Sequence, residues 1–371
     1  MIDPAKAGTV QTLPDALVDQ LRASEAFKIT QCWGMFRRPS VLIRSETAEL
    51  SKQMEEYAAN NDTLRLVITG EKLTGKSLLL LQAMAYAYLN RWVVINIPEA
   101  QELTTAATEY APIPDTDPVQ YSQPNYALKM IQAIRKANEE VLSGLETVHP
   151  HPELVQHFPV GTSVLQLANS AKEADTAWAI LNALWQELTV EGHGRPPLLL
   201  SLDGLPHIMR ISDYRSPAYE LIHSHDLALV RRFVDHLSGA SPLPNGGAVI
   251  AATTRNNAPR SPSMELALTQ REIEDMARRE GEGSTNVFPM PKKDPYGKGY
   301  DDRVDAALAS VKVLRVRGIT KAEARAIIEY WAASGLLRAA VTEATVSEKW
   351  TFGGNGILGE MEKASLLTLR M

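Results

Sequence analysis

Eight residues limit what this chain can become. Gly70 to Ser77 read G-E-K-L-T-G-K-S, a match to G-x-x-x-x-G-K-[ST]. Residues 64–69, L-R-L-V-I-T, form a short apolar, β-branched run, and the residues after Ser77 are rich in Leu, Ala, Met and Gln. That order predicts strand, glycine turn and helix. A glycine turn in that place can wrap backbone N–H groups around phosphate oxygens, because no Cβ blocks the approach. The lysine reaches the β- and γ-phosphates, the Ser hydroxyl ligates Mg²⁺, and the helix presents its positive dipole end. On this reading Gly70, Glu71, Lys72, Leu73, Thr74, Gly75, Lys76, Ser77 and Leu78 hold a nucleotide, with Ser77 also a metal ligand. Glu71 and Lys72 contribute mainly backbone donors. Leu73 stands where small residues are frequent, so its side chain is expected to point away from the phosphates.

The rest of the chain repeats the alternation. Strand candidates follow at 91–98 (R-W-V-V-I-N-I-P), 198–204 (L-L-L-S-L-D-G), 247–254 (G-A-V-I-A-A-T-T) and 311–318 (V-K-V-L-R-V-R-G). Five short strands alternating with helices predict an α/β fold, a parallel sheet with helices on both faces. An apolar strand ending in Asp203 has the Walker B pattern, in which the carboxylate holds the water shell of the magnesium ion. Its plain alternative is a buried strand that ends in an acid. Thr253 and Thr254 close the fourth strand, and Thr253 either faces the γ-phosphate or is an ordinary strand-end threonine. Glu99 follows the second strand, expected at the sheet edge and far from the γ-phosphate.

Three regions result: an extended, partly helical lead-in (1–60), a nucleotide-binding core (61–310) and a last strand with a helical lid (311–371). The core carries insertions at about 99–160 and 256–303. The Pro-rich A-P-I-P-D-T-D-P-V-Q-Y-S-Q-P-N-Y reads as irregular. Asn256 to Arg303, punctuated by Pro and Gly and mixed in charge, reads as either a docking arm or a plain surface loop. Residues 175–189 form a helix with Asp175 as its N-cap, and the stripe of Trp178, Ile180, Leu181, Leu184, Trp185 and Leu188 packs on the sheet.

Composition excludes several functions. A net charge of −6 argues against a surface that grips nucleic acid all over. One cysteine, Cys32, excludes a disulfide framework and a cysteine-built zinc site. No apolar run is long enough to cross a bilayer. The first twenty residues hold three aspartates and no arginine, unlike a mitochondrial presequence. T-K-A-E (320–323) follows the fifth strand as a guanine-reading motif does, yet a Thr320/Glu323 capping box explains it better. His223 and His225 in H-S-H-D lack a third ligand for a metal.

The ordered set G-E-K-L-T-G-K-S, L-L-L-S-L-D-G-L-P-H-I, G-G-A-V-I-A-A-T-T and I-T-K-A-E-A-R-A-I-I-E-Y-W-A-A-S-G-L-L resembles the death-associated protein 3 family, mitochondrial GTP-binding proteins of the small ribosomal subunit. R-R-P-S-V-L-I-R (37–44) is similar to the basic, proline-containing segment before that family's core. The resemblance implies an AAA-like P-loop NTPase core with an N-terminal extension and a helical C-terminal lid. It implies a guanine nucleotide, GTP or GDP, with ATP the alternative, and Mg²⁺ at Ser77 and Asp203. The implied place is the mitochondrial matrix, in the head of the small subunit near its contacts with the large one. The partners there are ribosomal proteins, with at most limited contact to ribosomal RNA, no membrane and no further small-molecule substrate.

An ATPase of the AAA class sets a glutamate after its Walker B aspartate, and here Gly204 follows Asp203. The expectation is a nucleotide held as mortar with little or no hydrolysis. An active P-loop NTPase and a nucleotide-dependent switch, in partner remodelling or apoptotic signalling, remain the alternatives.

Overall fold

The computed structural model describes residues 6–255, 258–280, 289–337 and 339–366. Its centre is one parallel sheet of five strands: β1 (Thr63–Gly70), β2 (Val93–Ile97), β3 (Leu198–Asp203), β4 (Gly247–Ala252) and β5 (Lys312–Val316), in the spatial order β5-β1-β4-β3-β2. All four ladders are parallel. Such strands are buried on both faces, so they read as unbroken apolar runs; every residue of β3 and β4 is buried.

Alternate residues feed two cores. Leu64, Leu66 and Ile68 of β1 join Val94, Leu199 and Ile250 under helices α1 (Asp15–Ala23), α2 (Ser45–Ala59) and α3 (Lys76–Leu89). Val67, Ile95, Leu200 and Val249 face the opposite layer. There they meet α4 (Pro124–Ala137), α5 (Ala174–Thr189), α6 (Ala228–Ser238) and α7 (Pro262–Glu280). The C-terminal helices α8 (Lys321–Ala333), α9 (Glu343–Phe352) and α10 (Leu358–Leu366) gather a smaller cluster around Ile328, Trp331, Val346 and Met361, which reaches Leu42 of the lead-in. Thr320 and Glu323 reciprocate backbone bonds at the start of α8, the expected capping box.

Both sheet edges are covered. On β2 the Asn138 side chain accepts from Val94 N (2.8 Å) and donates to Val94 O (2.9 Å), satisfying backbone groups an edge strand would leave open. On β5 helix α7 lies alongside, and Arg315 pairs with Glu272 at 3.1 Å.

Helix α7 corrects the expectation of an irregular 256–303 segment. Pro262 occupies its first turn, and Met264, Ala267 and Leu268 are buried at helical spacing. Its long polar face hides that short apolar stripe. Asn256, Asn257 and residues 281–288 of that segment lie outside the described residues. The segment expected to be irregular around Pro112 also holds order, an antiparallel pair of Ala111–Ile113 with Gln120–Ser122. Thr116 pins its turn, donating to Ile113 O and accepting from Gln120 N. Asp175 lies in the first turn of α5, with Glu173 at the N-cap, a shift of the usual size at helix ends.

Burial leaves four histidines, His207, His223, His225 and His236, reluctant to take a proton, the last two most strongly. It pushes His225 down to about 3, with His223 and Arg303 adding to the effect, and His236 down to about 4. Their folded values lie below the unfolded one, so their stabilisation is complete above about pH 6.5 and drains away as pH falls toward 4. The His236 share is roughly 3 kcal/mol at the bottom of that window. We expect the thermal midpoint to drop across this range, and His236→Gln, which can still donate to Ser241 O, to flatten the drop. Equal pH slopes in the two proteins would show that His236 is not buried neutral.

Candidate nucleotide site

The loop 70–75 sits where β1 ends, and its glycines have separate physical reasons. Gly70 (φ +144°) passes so close to β5 that a Cβ there would lie 2.4 Å from Val316 O. Gly75 (φ +98°) turns the chain left-handed into α3. Between them the Thr74 hydroxyl donates to Glu71 O at 3.0 Å, and Glu71 and Lys72 are exposed. Leu73 (φ +63°) packs away from the loop's hollow, against Gly359 of α10, whose N–H donates to Leu73 O at 3.0 Å.

Lys76 folds back over the loop, its Nζ donating to the carbonyls of Gly70 (3.2 Å) and Glu71 (2.5 Å). Burial, reinforced by the nearby Arg255 guanidinium, pushes its pKa down to about 8, against the pull of Asp203 and Glu71. Its hydrogen bonds go to two backbone carbonyls, so an incoming anion would give this ammonium a direct charged partner. Ser77 and Leu78 are half-buried in the first turn of α3.

Asp203, 4 % exposed, ends β3 one strand away from β4 and two from β1. Sequence reasoning missed its partner. Lys28, in the turn after α1, sets its ammonium 2.5 Å from Asp203 Oδ2 and 3.0 Å from Glu99 Oε1. Burial alone would lower Lys28, but the two carboxylates more than offset it and hold its pKa above the ordinary value. Glu99 is therefore not remote. β2 lies at the edge as expected, yet it pairs directly with β3, so its carboxyl end opens beside Asp203. Thr253 prolongs the β4–β1 pairing: its N–H and its hydroxyl both donate to Ile68 O (2.9 and 3.2 Å). It reaches a ligand only by releasing the hydroxyl bond.

Magnesium, expected between Ser77 and Asp203, fits this arrangement poorly. A dication there would have to compete with the Lys28 ammonium, 2.5 Å from Asp203 Oδ2, for the one carboxylate that both need. The carboxylate meant for the metal already has its cation.

A second missed residue is Arg44, 8 % exposed, in the lead-in just before α2. It donates to Thr74 O (3.2 Å) in the loop, to Arg317 O (3.0 Å) beyond β5, and to Glu46 (2.8 Å). Its Nε faces Glu323 of α8 at 3.9 Å and has no hydrogen bond. Beside it a cleft of about 60 Å³ opens next to Gly75 and Leu78, walled by Trp33, Val41, Ile327 and Leu358. One end of this cleft is the loop. The walls come from both ends of the chain.

Two comparisons bear on identity. Residues 41–364 match the family model of mitochondrial ribosomal death-associated protein 3. A Neurospora crassa protein, "Small ribosomal subunit protein mS29", is 59 % identical over 364 residues, covering 98 % of this chain and 75 % of that protein. Among solved structures, a chain of "Closed State CryoEM Reconstruction of Hsp104:ATPyS and FITC casein" matches 87 % of this chain and 47 % of its own length, at 9 % identity and a TM-score of 0.35. That likeness is too loose to carry an argument, and this chain spans under half of that protein.

The Gly70 geometry predicts that Gly70→Ala lowers unfolding free energy by about 2–3 kcal/mol, from the Val316 clash added to backbone strain. Gly192→Ala, also at positive φ but with open space around it, should cost about 1 kcal/mol. Equal losses in urea denaturation would mean that the loop does not press on β5.

Proposed function

The chain belongs to the mitochondrial ribosomal death-associated protein 3 family, and on that premise we propose that it is a structural protein of the small subunit of the mitochondrial ribosome. In this reading it works in the mitochondrial matrix, in the head of that subunit, on ribosomal-protein neighbours there and at the contacts with the large subunit. Contact with RNA is limited, consistent with a net charge of −6.

The same reading gives it a guanine nucleotide, GTP or GDP, held on an AAA-like core. The observation that carries this is the loop itself: Gly70, Gly75 and a buried Lys76 in need of an anion, at the carboxyl ends of β1, β4 and β3. Backbone N–H groups of Glu71 to Leu78 would take the phosphates, and Lys76 would exchange its carbonyl bonds for phosphate oxygens. The apolar cleft walled by Trp33, Leu78, Ile327 and Leu358 lies beside the loop where a base would sit, and at about 60 Å³ it must widen to take one.

Bound there, the nucleotide acts as mortar. It would join the lead-in, the loop and α10, segments remote in sequence, and stabilise them by roughly 4 kcal/mol at a thousandfold excess over Kd. Hydrolysis lacks an obvious agent: Gly204, at φ +94°, supplies no carboxylate after Asp203, and Glu99 is paired with Lys28. Glu99 is also the observation behind the second reading, an active NTPase, because it lies within one lysine of Asp203. The exposed Tyr296 and Met290, beyond α7, fit a docking role against a neighbouring ribosomal protein.

Tagged chain expressed in mitochondria should sediment with small subunits on a sucrose gradient. A chain that stays at the top of the gradient would rule out the ribosomal role. Purified protein should release no more phosphate from GTP than Lys76→Ala does; repeated turnovers that Lys76→Ala abolishes would favour the NTPase.

A further inference from the structure

Resting on the nucleotide reading, we infer that the ammonium of Lys28 does at this site the work a divalent cation does at other phosphate loops, so that the nucleotide binds without Mg²⁺. Three observations carry it. Lys28 holds the one carboxylate, Asp203, that the β3 strand end offers to a metal, at 2.5 Å, and shares the charge with Glu99 at 3.0 Å. The lysine is not a loose surface chain, for its side chain is 19 % exposed.

The segment that delivers it is tied down on both sides. Ser24 O accepts from Asn96 Nδ2 at 2.7 Å, and Asn96 Oδ1 in turn accepts from Ser201 of β3 at 2.7 Å. On the other side Gln31 N donates to Lys28 O at 3.0 Å, and Gln31 Oε1 accepts from Lys28 N at 3.3 Å and from Trp33 Nε1. Phe27 meets the Trp33 ring edge-on at 4.9 Å. The ammonium is thus fixed to the sheet's carboxyl end by the backbone around it. Trp33 also walls the cleft beside the loop.

The physical consequence concerns charge and reach. A nucleotide's terminal phosphate, seated between Lys76 and Asp203, meets one tethered positive charge on the Asp203 side instead of a free dication. A single ammonium neutralises and hydrogen-bonds, but it carries half the charge of a dication and supplies no Lewis acid to polarise a phosphoryl oxygen. Binding without hydrolysis follows from that difference, and the lead-in becomes part of the site.

The test titrates GDP into nucleotide-stripped full-length protein by calorimetry, in magnesium buffer and in EDTA, with ADP as a second probe. Wild-type affinity should change less than about threefold between the buffers. Lys28→Met, which keeps the apolar stem, should lose about 10- to 100-fold in EDTA, the size of one charge-assisted contact, and regain much of it with Mg²⁺. Lys28→Arg should retain binding in EDTA. Should Lys28→Met fail to fold, the wild-type pair of titrations decides alone. A wild-type affinity that collapses tenfold or more on chelation overturns the inference and leaves the nucleotide site standing. No binding of GDP or ADP by wild type in either buffer removes the site and the inference together.

Discussion

A single guanidinium holds this structure's distant parts in register. Arg44 is buried, and its bonds run to the loop after β1, to the chain beyond β5, and to Glu46 at the start of α2, with Glu323 of α8 close by. A buried charge persists only where such partners surround it. Removing one side of the arrangement leaves the others buried without compensation, at a cost typically of about 3–5 kcal/mol. The lead-in, the phosphate-loop core and the C-terminal helices therefore meet at one point. That point lies against the loop that would hold the phosphates.

The sheet was legible in the sequence because its signal is local. Each of the five apolar runs became a strand of the parallel sheet, shorter by a residue or two at its ends in all but β1, and the run that carries Asp203 lies fourth in the order, between β4 and the edge strand β2. The glycine turn was legible for the same reason. The hidden parts of the site are long-range. Lys28 meets Asp203 across 175 positions of chain, and Arg44 meets Arg317 O across 273. Nothing near either residue announces such a partner. Glu99 was misplaced because a strand at the sheet edge was equated with distance from the site, whereas β2 pairs with the very strand that carries Asp203. Helix α7 escaped notice because its apolar stripe is three residues set in a charged, proline-led segment.

This arrangement favours a ligand that binds parts together over one that is consumed. Loops that drive work need an unencumbered carboxylate near the terminal phosphate and a metal that can follow the leaving group. Here Asp203 and Glu99 share one lysine, and the residue after Asp203 is a glycine in a left-handed turn. The loop itself is held by Lys76, by Arg44 and by the N–H of Gly359. A ligand joining that set of contacts would tighten elements from both ends of the chain, which suits a protein that must keep one shape inside a large assembly.

The central claim is that the site holds a guanine nucleotide as part of the folded protein. Mass spectrometry of the small molecules released when purified protein is denatured tests it most directly. The account predicts GTP or GDP in stoichiometric amount from wild type and none from Lys76→Ala prepared in the same way. Nucleotide-free wild type, or equal content in the two proteins, would contradict it.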